Sequence, residues 1–224
     1  MVKFKLFLLA YYVMDVSDLR NEYLQTGLDR DDLASDPFSQ FNQWFKQAQE
    51  AKIHEVNALS IATVSAQAIP SSRTVLLKIY DEKGFVFFTN YHSKKAQDIE
   101  NNPNVALLFP WLTLERQVRI IGQAHKISKK ESFAYFASRP KGSQLGAWIS
   151  PQSKIIESRD FLKTKLTEMK AKFSHGKIPL PDAWGGYRVV PTQFEFWQGR
   201  RSRLHDRFIY QKENENWTIK RLAP

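Results

Sequence analysis

Gln193-Phe-Glu-Phe-Trp-Gln-Gly-Arg-Arg-Ser-Arg-Leu-His-Asp-Arg-Phe-Ile-Tyr210 is the stretch that says most about the fold of this chain. Aromatic and apolar residues on both sides of Gly199 predict a strand, a turn and a second strand. In a regular second strand, Arg203, His205 and Arg207 would point to one face and the residues between them to the other. Two guanidiniums beside an imidazole suit an anionic ligand, although a solvated cationic strand face has the same pattern.

The composition allows a large buried core but does not select a partner. The chain has 224 residues, of which 42% are hydrophobic, and no linker divides it. A formal charge of +10 and a pI of about 9.7 fit nucleic acid, an acidic surface or phosphorylated small molecules.

Several chemistries are excluded by the residues that are missing or scattered. The chain contains no cysteine, which excludes disulfides, a thiolate nucleophile and a cysteine-ligated metal. Its five histidines show no close pairing of the kind that zinc motifs use, so no metal site is predicted. The 9 glycines form neither a dinucleotide-binding fingerprint nor a P-loop. A nucleotide-like cofactor would have to be held by other means.

The sequence indicates two helix starts, of which the first is a candidate phosphate site. Ser93 is a plausible N-cap, and the free N–H groups that follow it, with Lys94 and Lys95, would attract a phosphate. A solvated lysine pair is the alternative. The second start is a capping box, Ser128-Lys-Lys-Glu131, which predicts a helix onwards from it.

Helical spacing divides the residues of that second helix between two faces. Phe133, Phe136 and Ala137 are expected on one face, and Ser132, Tyr135 and Arg139 on the opposite one. With Lys141 and Ser143 after Pro140, the hydroxyl and guanidinium groups make a second phosphate pocket, unless this is ordinary polar helix surface.

Apolar spacing and turn residues predict the remaining elements. A helix begins at Asp36-Pro37, and its buried stripe comprises Phe38, Phe41, Trp44, Phe45 and Ala48. A long amphipathic helix is predicted over residues 154–173, with Ile155 at the start of its stripe. Strands are predicted over residues 58–64, 73–80, 84–90, 105–111, 115–122, 187–197 and, at the end, 216–224.

The motifs also carry a family resemblance. Trp197-Gln-Gly and Arg203-Leu-His-Asp-Arg207 together resemble the C-terminal signature of pyridoxine/pyridoxamine 5'-phosphate oxidases. The resemblance runs from about Leu19 to Pro224 and includes Leu19-Arg-Asn-Glu-Tyr23, Arg73-Thr-Val-Leu-Leu-Lys78 and the segment around Ser93. It implies a mainly β, antiparallel, FMN-binding split β-barrel with flanking helices. It also implies a homodimer with FMN at its interface.

The resemblance assigns residues to two ligands. FMN would be bound by Arg73, Thr74, Val75, Leu76, Leu77, Lys78, Phe88, Thr89, Lys94, Lys95, Gln117, Gln152, Ser153, Trp197 and Arg207. The substrate would be bound by Arg20, Tyr23, Lys78, Tyr135, Arg139, Ser143, Arg203, Leu204 and His205, with Arg203 and His205 as the catalytic pair beside the reacting carbon. Lys94 stands where the family commonly has arginine, so the charge is kept but the bidentate fork is lost. Arg73 and Lys78 would face opposite sides of a regular strand, so either they bind different ligand parts or a bulge re-aims one of them.

The implied reaction is the last step in making pyridoxal 5'-phosphate. Pyridoxine 5'-phosphate or pyridoxamine 5'-phosphate would be oxidised at C4' with O2 as acceptor, giving hydrogen peroxide, and ammonia from the amine. Such an enzyme is expected in the cytoplasm, without membrane or nucleic-acid partners. The alternatives are another split-barrel FMN reductase or oxidase with a different substrate, and a basic RNA-binding module.

The first residues are expected to lie outside the functional unit. Residues 1–18 read as an extension, disordered or upstream of the functional start, with Met14 as the beginning of the working chain. The apolar run within Met1–Val13 is too short to span a bilayer, and no signal-type cleavage site follows it. Residues 19–224 are expected to form one split-barrel domain, with residues 19–27 as an arm over the substrate.

Overall fold

The computed structural model of the chain describes residues 22–23 and 27–224. The expectations for residues 1–18 and for Arg20 therefore fall outside the described residues. No helix in the described ranges is long and apolar enough to cross a membrane.

Nine strands and five α-helices make up the described chain. The strands are β1 (Ala58–Val64), β2 (Pro70–Leu76), β3 (Ile79–Asp81), β4 (Gly84–Asn90), β5 (Asn104–Trp111), β6 (Arg116–Lys126), β7 (Trp184–Gln198), β8 (Asp206–Glu213) and β9 (Asn216–Leu222). The helices are α1 (Pro37–Glu50), α2 (Lys94–Asn101), α3 (Lys129–Ser138), α4 (Lys141–Ile149) and α5 (Arg159–Lys172). Every strand pairing is antiparallel, which confirms the predicted mainly β class.

The sheet divides at β7. Its strand order is β2-β1-β5-β6-β7-β4-β3, with β8 added to β7 and β9 to β8. One edge of β7 pairs with β6 along most of its length. The other edge pairs with β4 from Trp184 to Val189 and with β8 from Gln193 to Gln198. This change of partner gives the barrel its split.

The two ends of the strand order are brought together by the chain itself. Strands β2 and β3 lie at opposite ends of the order, yet only Leu77 and Lys78 separate them in sequence. The Leu77 amide donates to Asn57 O at 2.8 Å, and the Lys78 amide donates to Val86 O at 2.9 Å. These bonds curl the sheet by linking its β1 side to its β4 side.

Helix α1 fills the inside of the curled sheet. The Asp36 carboxylate caps it by accepting from the amides of Phe38 and Ser39, and Pro37 occupies the first turn. Phe41 is fully buried and meets the rings of Phe85 and Phe109 at centroid distances of 4.9 and 5.0 Å. The predicted stripe is therefore confirmed as the centre of the main core.

A second apolar cluster lies outside the sheet, under α3 and α4. It is built from Phe136, Leu145, Ile178 and Trp184. The predicted capping box of α3 is confirmed, since the Ser128 and Glu131 side chains each accept from the other's backbone amide.

Several sequence-based expectations about helices and strands were wrong. In α3, Phe133 is exposed and Ser132 is buried, because Ser132 Oγ accepts from the Gly186 amide of β7. The predicted helix over residues 154–173 begins only at Arg159, where Ser158 caps it, and Ile155 is fully exposed. Helix α4 was not predicted. The strand expected over residues 73–80 breaks at Leu76, so Lys78 lies between two strands and no bulge is needed to re-aim it.

The second strand of the opening motif also starts later than expected. Residues Arg201–Arg203 form a 3-10 turn in which Ser202 and Arg203 have positive φ, and β8 begins at Asp206. The predicted alternation of Arg203, His205 and Arg207 on one strand face is therefore wrong. The turn residues project from a loop, and only Arg207 lies in the strand.

We expect the core aromatic of α1 to dominate stability. Phe41→Ala removes a fully buried ring that no other side chain can replace, so it should lower the free energy of unfolding by about 3–5 kcal/mol. Phe133→Ala is the matched control, because that ring is 50% exposed and its loss should cost about 1 kcal/mol or less. Urea unfolding followed by tryptophan fluorescence measures both. Equal losses in the two variants would contradict the assignment of the core.

Candidate functional site

A cleft of about 410 Å³ gathers many of the predicted ligand residues. Strands β2 and β4 contribute one side, and α3, α4 and the loop after α4 contribute the other. We call it the helical cleft, and it is lined by Thr74, Val75, Leu76, Lys78, Phe88, Thr89, Asn90, Lys95, Tyr135, Arg139, Ser143, Gly146, Ala147, Ser150, Gln152 and Trp184.

Lys95 is the buried cation of this cleft. It is 8% exposed, and its Nζ donates to Thr89 Oγ1 at 3.0 Å and to Gln152 Oε1 at 3.1 Å. Burial, reinforced by the charge of Arg73, lowers the pKa of Lys95 to about 8. Within the described ranges no carboxylate lies within ion-pairing distance of this ammonium. A buried ammonium with only neutral partners favours an anionic ligand.

Arg73 and Lys94 lie beside Lys95 but are already paired. Lys94 Nζ is 3.1 Å from a carboxylate oxygen of the buried Asp98, and an Arg73 nitrogen lies 4.0 Å from the other. Burial would raise the pKa of Asp98, but hydrogen bonds from Thr63 and Lys94 and the charges of Lys94 and Arg73 outweigh it and lower that pKa. Asp98 thus stays ionised and fixes both cations.

The helix start beside these cations differs from the prediction in one respect. Ser93 is the N-cap of α2, but its side chain makes no cap hydrogen bond. Its hydroxyl is buried and has no hydrogen-bond partner in the described part of the chain. Such an unsatisfied group is rare in proteins, and a ligand or water can supply the missing partner.

A second part of the helical cleft, which we call its Arg139 end, is an aromatic and cationic wall. Tyr135 stacks on Phe88 with ring centroids 4.0 Å apart. The Arg139 guanidinium lies over the Trp184 ring, 4.6 Å from its centroid, and Arg139 Nη1 is buried without a hydrogen-bond partner among the described residues. Burial lowers the pKa of Arg139, although a guanidinium remains charged at any physiological pH. This donor, like Lys95, is free to bind an anion.

A second cleft, of about 440 Å³, opens beside the turn between β7 and β8. We call it the turn cleft, and it is lined by Tyr23, Leu112, Glu115, Arg116, Gln117 and Trp197. The His205 ring contacts Trp197 at 4.6 Å and meets Tyr23 edge-on at 5.2 Å. Tyr23 also meets Trp197 at 5.7 Å, which places the predicted arm residue against the predicted flavin tryptophan.

His205 is held as a neutral imidazole. Its Nδ1 accepts from the Arg200 amide at 3.1 Å, which leaves Nε2 as the nitrogen that carries the proton. Burial, followed by the charge of Arg203, lowers the pKa of His205 against the opposing effect of Asp206. Arg203 and Leu204 are exposed on the turn.

Arg207 lies on β8 and is bound on its own chain. Its Nε and Nη2 each lie 2.8 Å from Glu195 Oε1, and its Nη1 donates to Ala223 O at 2.9 Å. Glu195 is buried and also pairs with Arg119. Gln117, Trp197 and Arg207 line a further depression of about 290 Å³ next to the turn cleft.

The predicted residues therefore fall into two groups within one chain. Lys78, Lys95, Tyr135, Arg139 and Ser143 share the helical cleft, whereas Gln117, Trp197, His205 and Tyr23 gather at the turn cleft. Lys94 and Ser153 line a separate depression. The Leu77 side chain is buried in the main core, so only its backbone is available to a ligand. Trp184, Asp98, Glu195 and Asp206 were missed by the sequence reasoning, because a residue that acts by holding another has no local motif.

Comparison with known families gives two matches that together cover most of the chain. Residues 45–173 match the family model "Pyridoxamine 5'-phosphate oxidase". Residues 184–224 match the model "Pyridoxine 5'-phosphate oxidase C-terminal dimerisation region".

Individual proteins are similar over nearly the whole length. The pyridoxine/pyridoxamine 5'-phosphate oxidase of Crocosphaera subtropica is 63% identical over 214 residues, covering 94% of this chain and 100% of that protein. The protein of the same name from Rippkaea orientalis is 61% identical over 212 residues, again covering 94% and 100%.

Solved structures show the same fold. PhzG from Burkholderia lata, solved in complex with tetrahydrophenazine-1-carboxylic acid, matches with a TM-score of 0.82 and 28% identity, covering 87% of this chain and 95% of that one. A pyridoxamine 5'-phosphate oxidase-related, FMN binding protein from Nostoc punctiforme matches with a TM-score of 0.68 and 16% identity, covering 86% and 100%. The predicted split-barrel class is confirmed by these neighbours.

Proposed function

The chain belongs to the pyridoxamine 5'-phosphate oxidase family of oxidoreductases, and on that premise we propose that it oxidises pyridoxine 5'-phosphate or pyridoxamine 5'-phosphate to pyridoxal 5'-phosphate with FMN and O2. Hydrogen peroxide would be the second product, with ammonia released from the amine. One observation carries the proposal: the helical cleft holds two cations, Lys95 and Arg139, that are at least partly buried and have no carboxylate partner among the described residues, which fits two phosphorylated ligands.

The Lys95 end of the cleft fits the phosphate of FMN. Lys95, Thr89 and Gln152 form a connected polar set, and Arg73 and Lys94 add charge from the Asp98 side. The backbone of residues 74–78 and the Phe88 ring would border the flavin. FMN, when bound, supplies the acceptor for the two electrons that leave the substrate.

The Arg139 end fits the phosphate of the substrate. Arg139 offers an unsatisfied donor, and Tyr135 and Ser143 offer hydroxyls at the cleft lining. The Ser143 amide itself donates to Pro140 O at 2.9 Å, so its hydroxyl is the group that is available to a ligand. Lys78 lines the same cleft and would add an ammonium. These groups bind and orient, which is the protein's main contribution when a cofactor carries the redox chemistry.

The remaining predicted residues require a second copy of the chain. The match of residues 184–224 to a dimerisation region supports a homodimer. In one chain His205 lies at the turn cleft and Tyr135 in the helical cleft. We propose that the partner's turn cleft faces the helical cleft, so that FMN lies at the interface with Gln117, Trp197 and Arg207 around it.

Arg203 and His205 are proposed to act on the reacting carbon. A neutral His205, with its Nδ1 engaged by the Arg200 amide, presents Nε2–H to the substrate without adding charge. Arg203, exposed on the turn, would place its guanidinium beside the pyridine ring. Tyr23, together with Arg20 outside the described residues, would cover the substrate and exclude water.

The two alternatives are less well supported. A split-barrel enzyme acting on another substrate would share the flavin end, but the identity to the named B6 oxidases reaches 63%, against 28% to PhzG. An RNA-binding module would account for the net charge of +10 but not for the buried Lys95 and the partly buried Arg139, which have no carboxylate partner among the described residues. Its binding would also fall steeply with salt.

The proposed activity is tested by an anaerobic single turnover. Mixing the purified FMN-loaded protein with pyridoxine 5'-phosphate should bleach the flavin absorbance, and admitting air should restore it with one hydrogen peroxide per pyridoxal 5'-phosphate. Pyridoxine without phosphate is the control and should bleach far more slowly, since it cannot use the Arg139 end. The proposed activity is contradicted if the flavin stays oxidised with both pyridoxine 5'-phosphate and pyridoxamine 5'-phosphate.

The two neighbouring lysines should differ in their effect on FMN. Lys95→Met removes a buried ammonium that no carboxylate in the described part of the chain neutralises, so we expect FMN affinity to fall by about 10- to 100-fold. Lys94→Met is the matched control, because that side chain is half exposed and already paired with Asp98, and its loss should cost less than about 5-fold. Titrating the apoprotein with FMN by flavin fluorescence quenching measures both. The reverse order of effects would show that the phosphate does not bind at Lys95.

Substitutions at the two arginines should separate binding from turnover. Arg139→Gln should raise the KM for pyridoxine 5'-phosphate by roughly 10-fold or more, with kcat little changed, because the phosphate contact is the same in the ground and transition states. Arg203→Gln should chiefly depress kcat, because its contact is made beside the reacting carbon. Steady-state kinetics with peroxide detection distinguish the two patterns. A lowered kcat in Arg139→Gln and a raised KM in Arg203→Gln would contradict the proposed roles of the two arginines.

A further inference from the structure

Trp184 lies under the phosphate-binding wall of the helical cleft. It opens β7, pairs with Asn90 of β4, and is 8% exposed. Its ring lines the cleft, and Phe136 meets it edge-on with centroids 5.3 Å apart. Neither the sequence motifs nor the family resemblance singled it out.

The Arg139 side chain has no carboxylate to hold it. Within the described residues no hydrogen bond or ion pair reaches its guanidinium, and Nη1 is buried without a partner. Two aromatic rings lie beside it, with Cζ 4.6 Å from the Trp184 centroid and 5.8 Å from that of Phe136. Its backbone is fixed separately, because Arg139 O accepts from Gln144 Nε2 at 2.8 Å. The direction of the guanidinium therefore depends on the aromatic surface beneath it.

The Tyr135 hydroxyl is oriented by the same surface. The rings of Trp184, Phe88 and Tyr135 are nearly parallel, with interplanar angles of 11° between Trp184 and Phe88 and 21° between Phe88 and Tyr135. The Tyr135 and Trp184 rings are themselves 10° from parallel at 6.2 Å. One stack thus connects the two side chains that we assign to the substrate phosphate.

We propose that Trp184 is a positioning residue for substrate-phosphate recognition. Its indole holds the Arg139 guanidinium by a cation–π contact and, through Phe88, fixes the plane of Tyr135. A carboxylate could orient an arginine as well, but it would neutralise the charge and compete with the phosphate. An aromatic face orients the guanidinium and leaves its donors free. The inference rests on the proposed function for the identity of the anion.

The competing explanation is that Trp184 only fills space in the second apolar cluster, beside Phe136, Leu145 and Ile178. Loss of packing would lower stability but would not act through Arg139. The two explanations therefore differ in whether the effects of Trp184 and Arg139 on phosphate binding are coupled.

A double-mutant cycle on the FMN-loaded protein separates them. The variants are Trp184→Leu, Arg139→Gln and the pair together, with Trp184→Phe as the conservative replacement that keeps a weaker aromatic face. The probe is 4-deoxypyridoxine 5'-phosphate, which keeps the phosphate but lacks the oxidisable C4' alcohol and cannot form an imine. Calorimetry gives its dissociation constant for each variant, and KM and kcat are measured in parallel with pyridoxine 5'-phosphate.

Trp148→Leu is the matched control. Trp148 packs against the same cluster, and its Nε1 donates to Pro179 O at 2.8 Å. Its ring meets Phe173 and Lys172, and its side chain is not part of the cleft lining. It should lower the thermal unfolding midpoint and leave the dissociation constant of the probe unchanged.

Positioning predicts a specific pattern. Trp184→Leu should weaken probe binding by about 3- to 30-fold and raise KM to match, with kcat at saturation within about twofold. Trp184→Phe should recover most of the affinity, and the double variant should bind no more weakly than Arg139→Gln alone. If Trp184→Leu does not fold, the same cycle is run with Trp184→Met, which keeps more of the side-chain volume but not the aromatic face, and its coupling to Arg139→Gln decides the matter.

The inference is overturned by unchanged affinity in a folded Trp184→Leu variant, or by losses that simply add in the double variant. It can be separated from the function itself. Coupled loss of probe binding in a protein whose flavin no vitamer reduces would reject the oxidase activity and keep the positioning role. Normal turnover, together with losses of probe binding that simply add, would keep the oxidase activity and reject the positioning role.

Discussion

The fold depends on the pairing of one edge of β7 with two different strands, β4 and β8. Pairing with β4 stops at Val189 and pairing with β8 starts at Gln193, so the residues between have no ladder partner on that edge. Pro191, which lacks an N–H, sits in this gap, and the register with β6 shifts there between Ile121 and Gly122. A side chain at Gly122 would collide with the backbone of Val190, so the close approach needs glycine. The split in the sheet is built into these few residues.

The split determines where the two clefts can form. The first half of β7 borders β4 and carries Trp184 to the helical cleft, whereas the second half borders β8 and carries Trp197 to the turn cleft. Asp206, buried at the start of β8, strengthens the second half. It accepts from the Leu28 amide and pairs with Arg200 and Arg221, which ties the arm, the turn and β9 together. The rigid centre of the sheet therefore places both clefts from a single strand.

The sequence predicted the strands of the sheet better than the local geometry of the turn and of α3. Alternation and turn residues located most strands, and the N-cap at Asp36 and the capping box at Ser128 located two helices. Alternation failed at Arg203 because positive φ at Ser202 and Arg203 interrupts the strand, and neither residue type signals such a conformation. The burial of Ser132 and exposure of Phe133 depend on the contact of α3 with β7, which is a tertiary effect that helix periodicity does not contain.

The distribution of charge explains why a strongly basic chain can have a selective site. Three buried carboxylates, Asp98, Glu195 and Asp206, each hold two cationic side chains. Those cations are fixed in place, and the carboxylates neutralise part of their charge. Lys95 and Arg139 are instead held by neutral neighbours, the first by hydroxyl and amide oxygens and the second by aromatic faces. Burial makes each of them costly to leave without an anion, so the cleft gains most from ligands that bring a negative charge to each of the two cations. A surface with the same net charge, but with paired or solvated cations, would attract anions without selecting among them.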